Sequence, residues 1–209
     1  MDLKLYEDYL YTRKLDLNLE QQRSNAHAIH DYLIEKYFDH PSTYGGGSHV
    51  TKYYGYYNYL THAFPGMTQL FNSIRETFIA ANNHAWNGNP PDTEYYIQCW
   101  LNYYEKGEFI DWHGHLVPEA RGWHGFYCAD VEPNSSTTYR LHGKEVEIKS
   151  EDNLLIIGKS IDDLHKSSEW LEDKPRITIA FDISPIKNFN GLEEDRNEKG
   201  KIHYWIPLV

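Results

Sequence analysis

Residues 87–92 read Asn87-Gly88-Asn89-Pro90-Pro91-Asp92, a run of turn formers and helix breakers that divides the sequence into two textures. Upstream, apolar residues recur at helical spacing. After Pro65-Gly66, the positions Met67, Leu70, Phe71, Ile74, Phe78 and Ile79 share one face and predict a helix ending near Asn82-Asn83. Leu19, Ala26, Ile29, Leu33 and Tyr37 predict another between Asp16 and Phe38, with Asp16 as its expected cap. Asp39 to His62 mixes Pro41, Gly45-Gly46-Gly47 and Gly55 with many tyrosines, and reads as loop with strand fragments.

Downstream the periodicity changes to two. Strands are expected at Glu94–Tyr104, Glu108–Leu116, Trp123–Val131, Thr137–Leu141, Lys144–Ile148, Asn153–Ile157, Arg176–Ile183 and His203–Pro207. Leu141-His142-Gly143-Lys144 has the form of a tight hairpin. Short strands with frequent turns behind a helical front predict a mostly β chain with supporting helices, an α+β sandwich or barrel.

The composition narrows the function classes. A length of 209 residues suits one domain with a real core. Twenty basic against 31 acidic residues give a net charge of −11, a field that repels phosphate backbones and anionic membranes, so a nucleic-acid or membrane partner is not expected. The apolar runs are too short to cross a bilayer and Met1-Asp2-Leu3-Lys4 has no apolar signal core, which points to the cytoplasm of an organism or of an infected host cell. Cys99 and Cys128 are too few for a disulfide framework and read as buried thiols. Glu193 to Gly200 reads as a solvated charged loop.

Chemistry concentrates in Glu108-Phe109-Ile110-Asp111-Trp112-His113-Gly114-His115. Strand alternation would put Asp111, His113 and His115 on one face. Two such residues can bite one metal ion while a third ligand arrives from a later strand, leaving open positions for substrate and oxygen. His165 is the natural third ligand, eleven residues before Arg176 and the apolar strand that follows it. The competing readings are ordinary hydrogen-bonded histidines, and for Arg176 a surface ion pair with Glu172 or Asp173. His124 and His142 read as strand and hairpin residues, although His124 reaches the same cavity if the register allows. Trp112 and Trp123 read as core rings, and Tyr104 equally as a sheet-packing ring.

In this order the residues resemble the non-haem iron(II), 2-oxoglutarate-dependent dioxygenases. Tyr104-Glu105-Lys106-Gly107 is similar to the lead-in to the first metal histidine in the prolyl-hydroxylase-like branch, and His113-Gly114-His115 stands at the His-x-Asp position. Gly122-Trp123-His124-Gly125-Phe126-Tyr127-Cys128 resembles the next strand. Asp163-Leu164-His165 and Arg176-Ile177-Thr178 resemble the distal histidine and the Arg-x-Ser/Thr pair. The likeness covers about Glu94 to Ile183, and is greatest to oxygenases of that superfamily that carry His-x-His, many of them phage-encoded.

The resemblance implies a double-stranded β-helix, the jelly-roll or cupin-like barrel, over residues 94–183, with 1–90 as support and 184–209 as an extension. It implies iron(II) on His113, His115 and His165, 2-oxoglutarate held by Arg176 with Thr178, Tyr104 or Asn102 completing its pocket, and dioxygen as oxidant. A carboxylate is expected where His115 stands. The alternatives are that His115 binds the metal and the 2-oxoglutarate dianion supplies the missing charge, that Asp111 binds instead, or that Asp111 orients a ligand imidazole. The substrate would be a small molecule or a peptide, with hydroxylation as the default outcome; the oligomeric state is left open.

Two other classes fit the residues. A cupin-like three-histidine enzyme would use the metal without 2-oxoglutarate. A non-enzymatic β-sandwich binding or assembly protein would present the tyrosines of Tyr53-Tyr54-Gly55-Tyr56-Tyr57-Asn58-Tyr59 as an adhesive surface.

Overall fold

Trp86 to Gly88 turn out of a helix, with Asn87 and Gly88 at positive φ, and the chain then enters a long strand at Tyr95. This is a computed structural model, and it describes residues 2–41, 46–115, 122–160, 164–185 and 204–209. The strands, in chain order, are β1 (Lys4–Tyr6), β2 (Leu10–Lys14), β3 (Tyr95–Tyr104), β4 (Trp123–Asp130) and β5 (Ser136–Leu141). They continue with β6 (Lys144–Lys149), β7 (Leu154–Lys159), β8 (Leu164–Ser167), β9 (Arg176–Pro185) and β10 (Ile206–Pro207). All pairings are antiparallel: a seven-stranded sheet in the order β1-β2-β7-β4-β9-β3-β10, and a three-stranded sheet in the order β6-β5-β8. Among the described residues neither sheet closes on itself.

Two helices cover one face of the large sheet. The first, α1 (Leu19–Tyr37), buries Gln22, Asn25, Ala26, Ile29 and Leu33. Its cap is Asn18, whose side chain accepts from Gln21 N–H at 3.1 Å, two residues after the expected cap Asp16. The second, α2 (Met67–Ala85), buries Leu70, Ile74 and Phe78 and sets Phe78 edge-on against Tyr95 and Trp123. Each such buried side chain contributes about 1.5–3 kcal/mol relative to exposure. No described helix is long and apolar enough to cross a membrane.

Strand alternation sorts the large sheet into two faces. Ile177, Ile179, Phe181 and Ile183 of β9 face the helices, which leaves Arg176, Thr178, Ala180 and Asp182 on the other side. Trp123 and His124 of β4, and Tyr103 and Tyr104 of β3, divide the same way. Tyr139 pairs with His165 and Thr137 with Ser167 in the small sheet. Thr137, His165 and Ser167 line the cavity together with Asn102, Tyr104, Arg176 and Thr178 from the large one. The hairpin forms at Leu141–Lys144, with His142 and Gly143 at φ 48° and 76°. These values suit a two-residue turn of the primed kind.

Three segments differ from expectation. Glu108–Leu116 is not a strand over its described part. Asp111 turns its carboxylate onto Trp112 N–H (2.7 Å) and its carbonyl onto His113 Nδ1 (2.8 Å), which bends the chain and leaves one isolated bridge, His113 to His165. Residues Thr51–Tyr56 and Tyr59–Thr61 form 3-10 turns instead of strand fragments. Tyr53, Tyr57 and Tyr59 lie in the core, and the Tyr57 hydroxyl accepts from Leu101 N–H at 2.7 Å, so this stretch offers no tyrosine-covered adhesive surface. Strands β1, β2 and β8 appear where none is expected. Residues 42–45, 116–121, 161–163 and 186–203 lie outside the described residues, and with them Asp163 and the charged loop at 193–200.

Candidate metal and cosubstrate site

Between the two sheets lies a cavity of about 250 Å³ lined by three groups of side chains. The first is a cluster of imidazoles. His113, His115 and His165 each offer a ring nitrogen, and these atoms all lie within 4.8 Å of one another. Two metal–nitrogen bonds of ~2.1 Å reach across about 4.2 Å at most, so rings at the wide end of that range close on an ion by small side-chain rotations.

Backbone geometry explains why they meet. His113 N–H donates to the His165 carbonyl at 3.0 Å and His165 N–H returns the bond at 2.9 Å, so both side chains leave the same side of the pair. The preceding residues follow β8 loosely, with Ser167 N–H on the Ile110 carbonyl and Trp170 N–H on the Glu108 carbonyl, both 3.0 Å. His115 is held differently: its Nδ1 lies 2.6 Å from Asp182 Oδ1, and its ring stacks on Trp100 and His124. With Nδ1 turned to Asp111 in one case and to Asp182 in the other, Nε2 is the nitrogen His113 and His115 offer a metal. Burial pushes the His165 imidazole well below its usual range, and its histidine neighbours His124, His113 and His115 push it further. It is therefore held in the neutral form that binds metals.

Arg176 carries the second group. It is 2% exposed, at the start of β9, with its guanidinium 5.3 Å from the Tyr104 ring centre. Among the described residues its Nε and Nη1 are buried without a hydrogen-bond partner, and Nη2 reaches Ser150 Oγ at 3.5 Å. The competing surface ion pair is not made: Glu172 accepts from Asn134 and Asp173 pairs with Lys106. A buried cation with unfilled donors and no carboxylate partner among the described residues fits an anionic ligand with a planar, two-oxygen end. Around it, Thr51 Oγ1 donates to Asn102 Oδ1 at 2.6 Å and Asn102 Nδ2 donates to Thr178 Oγ1 at 3.4 Å. That order leaves the Thr178 hydroxyl accepting from Asn102 and able to donate into the cavity.

The third group is apolar and aromatic: Tyr54, Trp100, Ile110, Phe126 and Ala180. His124, also in the cavity wall, is held through Nδ1 by Ser160 Oγ at 3.2 Å. The Asp111 carboxylate is exposed and stands outside the imidazole group, whereas its carbonyl supports His113. Trp123 is core, and Trp112 packs beneath the side chains of Arg140 and Lys166. Asp182 is an addition to the expected site residues. The signal was there, because it follows Arg176, Thr178 and Ala180 on one face of a strand of period two.

The fold is similar to that of several solved oxygenases and related enzymes. A prolyl hydroxylase from Trichoplax adhaerens, solved with a hypoxia-inducible-factor peptide fragment, superposes with a TM-score of 0.55 at 11% identity, over 85% of this chain and 84% of that one. A prolyl-4-hydroxylase from Pseudomonas putida gives 0.50 at 12% identity, over 84% of each chain. The non-haem α-ketoglutarate-dependent epimerase SnoN from nogalamycin biosynthesis gives 0.54 at 10% identity, over 83% of this chain and 76% of that one. No protein-family model and no curated protein sequence matches the chain.

Proposed function

We propose that the chain is an iron(II)- and 2-oxoglutarate-dependent oxygenase, a single domain whose two sheets form a double-stranded β-helix. In this reading it hydroxylates a small molecule or a peptide and releases succinate and CO2. The observation that carries the reading is the buried Arg176 guanidinium, without a carboxylate partner among the described residues, lining the same cavity as the three imidazoles. A cupin-like enzyme without 2-oxoglutarate has no use for that charge, and burying it unpaired costs several kcal/mol, on the order of the penalty for an uncompensated ion.

His113, His115 and His165 would hold the iron, and three protein ligands leave positions for the cosubstrate and dioxygen. When bound, iron would supply the redox centre at which dioxygen takes two electrons from 2-oxoglutarate and two from a substrate C–H bond, one oxygen atom ending in succinate and the other in the hydroxylated substrate. The remaining work belongs to side chains. Arg176 pairs with the far carboxylate of 2-oxoglutarate through its Nε and Nη1 donors, and Thr178 adds a hydroxyl proton directed by Asn102 and Thr51. The Tyr104 face packs against the guanidinium and keeps water from it. Tyr54, Trp100 and Phe126 give the substrate end an apolar wall.

The test is turnover of 2-oxoglutarate. With iron(II), ascorbate and air, the purified chain is expected to release succinate from 2-oxoglutarate, while the Arg176→Gln chain is not. Succinate release equal in the two proteins would contradict the assignment of Arg176.

A further inference from the structure

We infer that Asp182 supplies, through His115, the negative charge that a carboxylate ligand would otherwise bring to the metal. The inference rests on the proposed metal reading. Three neutral imidazoles compensate a divalent ion less than two imidazoles and a carboxylate do. The carboxylate lost from the ligand set reappears one ring further out: Asp182 Oδ1 lies 2.6 Å from His115 Nδ1, with both side chains mostly buried at 14% and 12% exposure. Among the described residues Asp182 has no other ion-pair partner, whereas His113 Nδ1 meets the neutral Asp111 carbonyl and His165 Nδ1 is buried with no hydrogen-bond partner. His115 therefore has an anion directly behind it.

The arrangement is also rigid. Asp182 sits in the middle of the sheet, on β9, paired to Gln98 on one side and His124 on the other. The His115 ring is stacked on Trp100 (17° between planes) and on His124 (11°), so it cannot turn away from the carboxylate without unstacking. With Nδ1–H donating to Asp182, the tautomer is fixed, Nε2 carries the lone pair, and the carboxylate raises its donor strength. Asp182 is thus a positioning and charge-supplying residue acting through His115.

Cobalt(II) titration of the metal-depleted full chain, followed by its visible absorption, tests this in two backgrounds. In the otherwise unaltered chain, Asp182→Asn is expected to lower affinity about 10–100-fold, the usual effect of losing a partner behind a metal ligand. In the His115→Asp chain, where a carboxylate reaches the metal directly, Asp182→Asn is expected to change affinity little or to raise it. Equal loss in both backgrounds would mean a merely structural role, and no loss in either would mean none; both results overturn the proposal. Failure of the unaltered chain to bind cobalt would overturn the metal reading itself. Should Asp182→Asn not fold, nitrogen-15 spectra of the zinc-loaded unaltered chain decide. They are expected to show His115 protonated at Nδ1 and bound through Nε2, and binding through Nδ1 would overturn the proposal.

Discussion

His113 and His165 exchange both backbone hydrogen bonds, at 3.0 and 2.9 Å, across an otherwise irregular junction between residues 107–115 and β8. The pair is the hinge of the proposed metal site, because it points two imidazoles to one side without a regular strand. The backbone bonds do not need the side chains. His165→Ala should therefore keep the fold, with a melting temperature within a few degrees of the unaltered chain. It should lose more metal affinity than the ~100-fold that removal of an outer partner costs. Calorimetric titration with cobalt(II) beside a thermal melt measures both.

Arg176 should behave as a ligand-binding charge and not as a stabilising one. Its guanidinium is buried with two donors unfilled, so Arg176→Gln removes an uncompensated cation, and the ligand-free variant should be at least as stable as the unaltered chain. The same change should weaken 2-oxoglutarate binding at least about 30-fold, the equivalent of ~2 kcal/mol. Adding 2-oxoglutarate to the metal-loaded protein should raise the melting temperature of the unaltered chain further and leave that of the metal-loaded variant unmoved.

Gly125 should tolerate no side chain. It lies in β4 between β7 and β9, where an added Cβ would stand 2.1 Å from the Ile156 carbonyl oxygen and 2.7 Å from the Phe181 ring. Backbone cannot yield as a flexible side chain would, so Gly125→Ala should cost at least about 3 kcal/mol, the upper end of ordinary overpacking. Chemical denaturation would show it as a lower midpoint.

Neither cysteine should react in the native protein. Burial pushes the Cys128 thiol up to about 11, with the Arg176 charge opposing, and burial together with Asp182 pushes Cys99 well above its usual range. Both side chains are inaccessible. A thiol-reactive disulfide reagent at neutral pH should label none of them in the folded chain and both after denaturation.

Much of the site was legible because strand period and spacing act locally. Arg176, Thr178 and Asp182 share a face of β9 by alternation alone, and Leu70, Ile74 and Phe78 share the buried face of α2. The segment before His115 was not, since alternation assumes a strand, and the Asp111 hydrogen bonds to Trp112 and His113 bend the chain locally. The β1–β2 hairpin carries no turn signature in the sequence, because Glu7 and Asp8 take the positive φ values that asparagine and glycine usually announce. Whether His124 or Trp123 faces the cavity depends on which side of the large sheet the helices choose, a tertiary fact with no local signature.

The central claim is that one cavity binds iron(II) through imidazoles and 2-oxoglutarate through Arg176. Anaerobic titration of the metal-free chain with iron(II), then 2-oxoglutarate, tests it most directly. The account predicts a saturable visible charge-transfer band of a chelated 2-oxo acid, weakened by Arg176→Gln. Iron binding with no such band at saturating 2-oxoglutarate would contradict it.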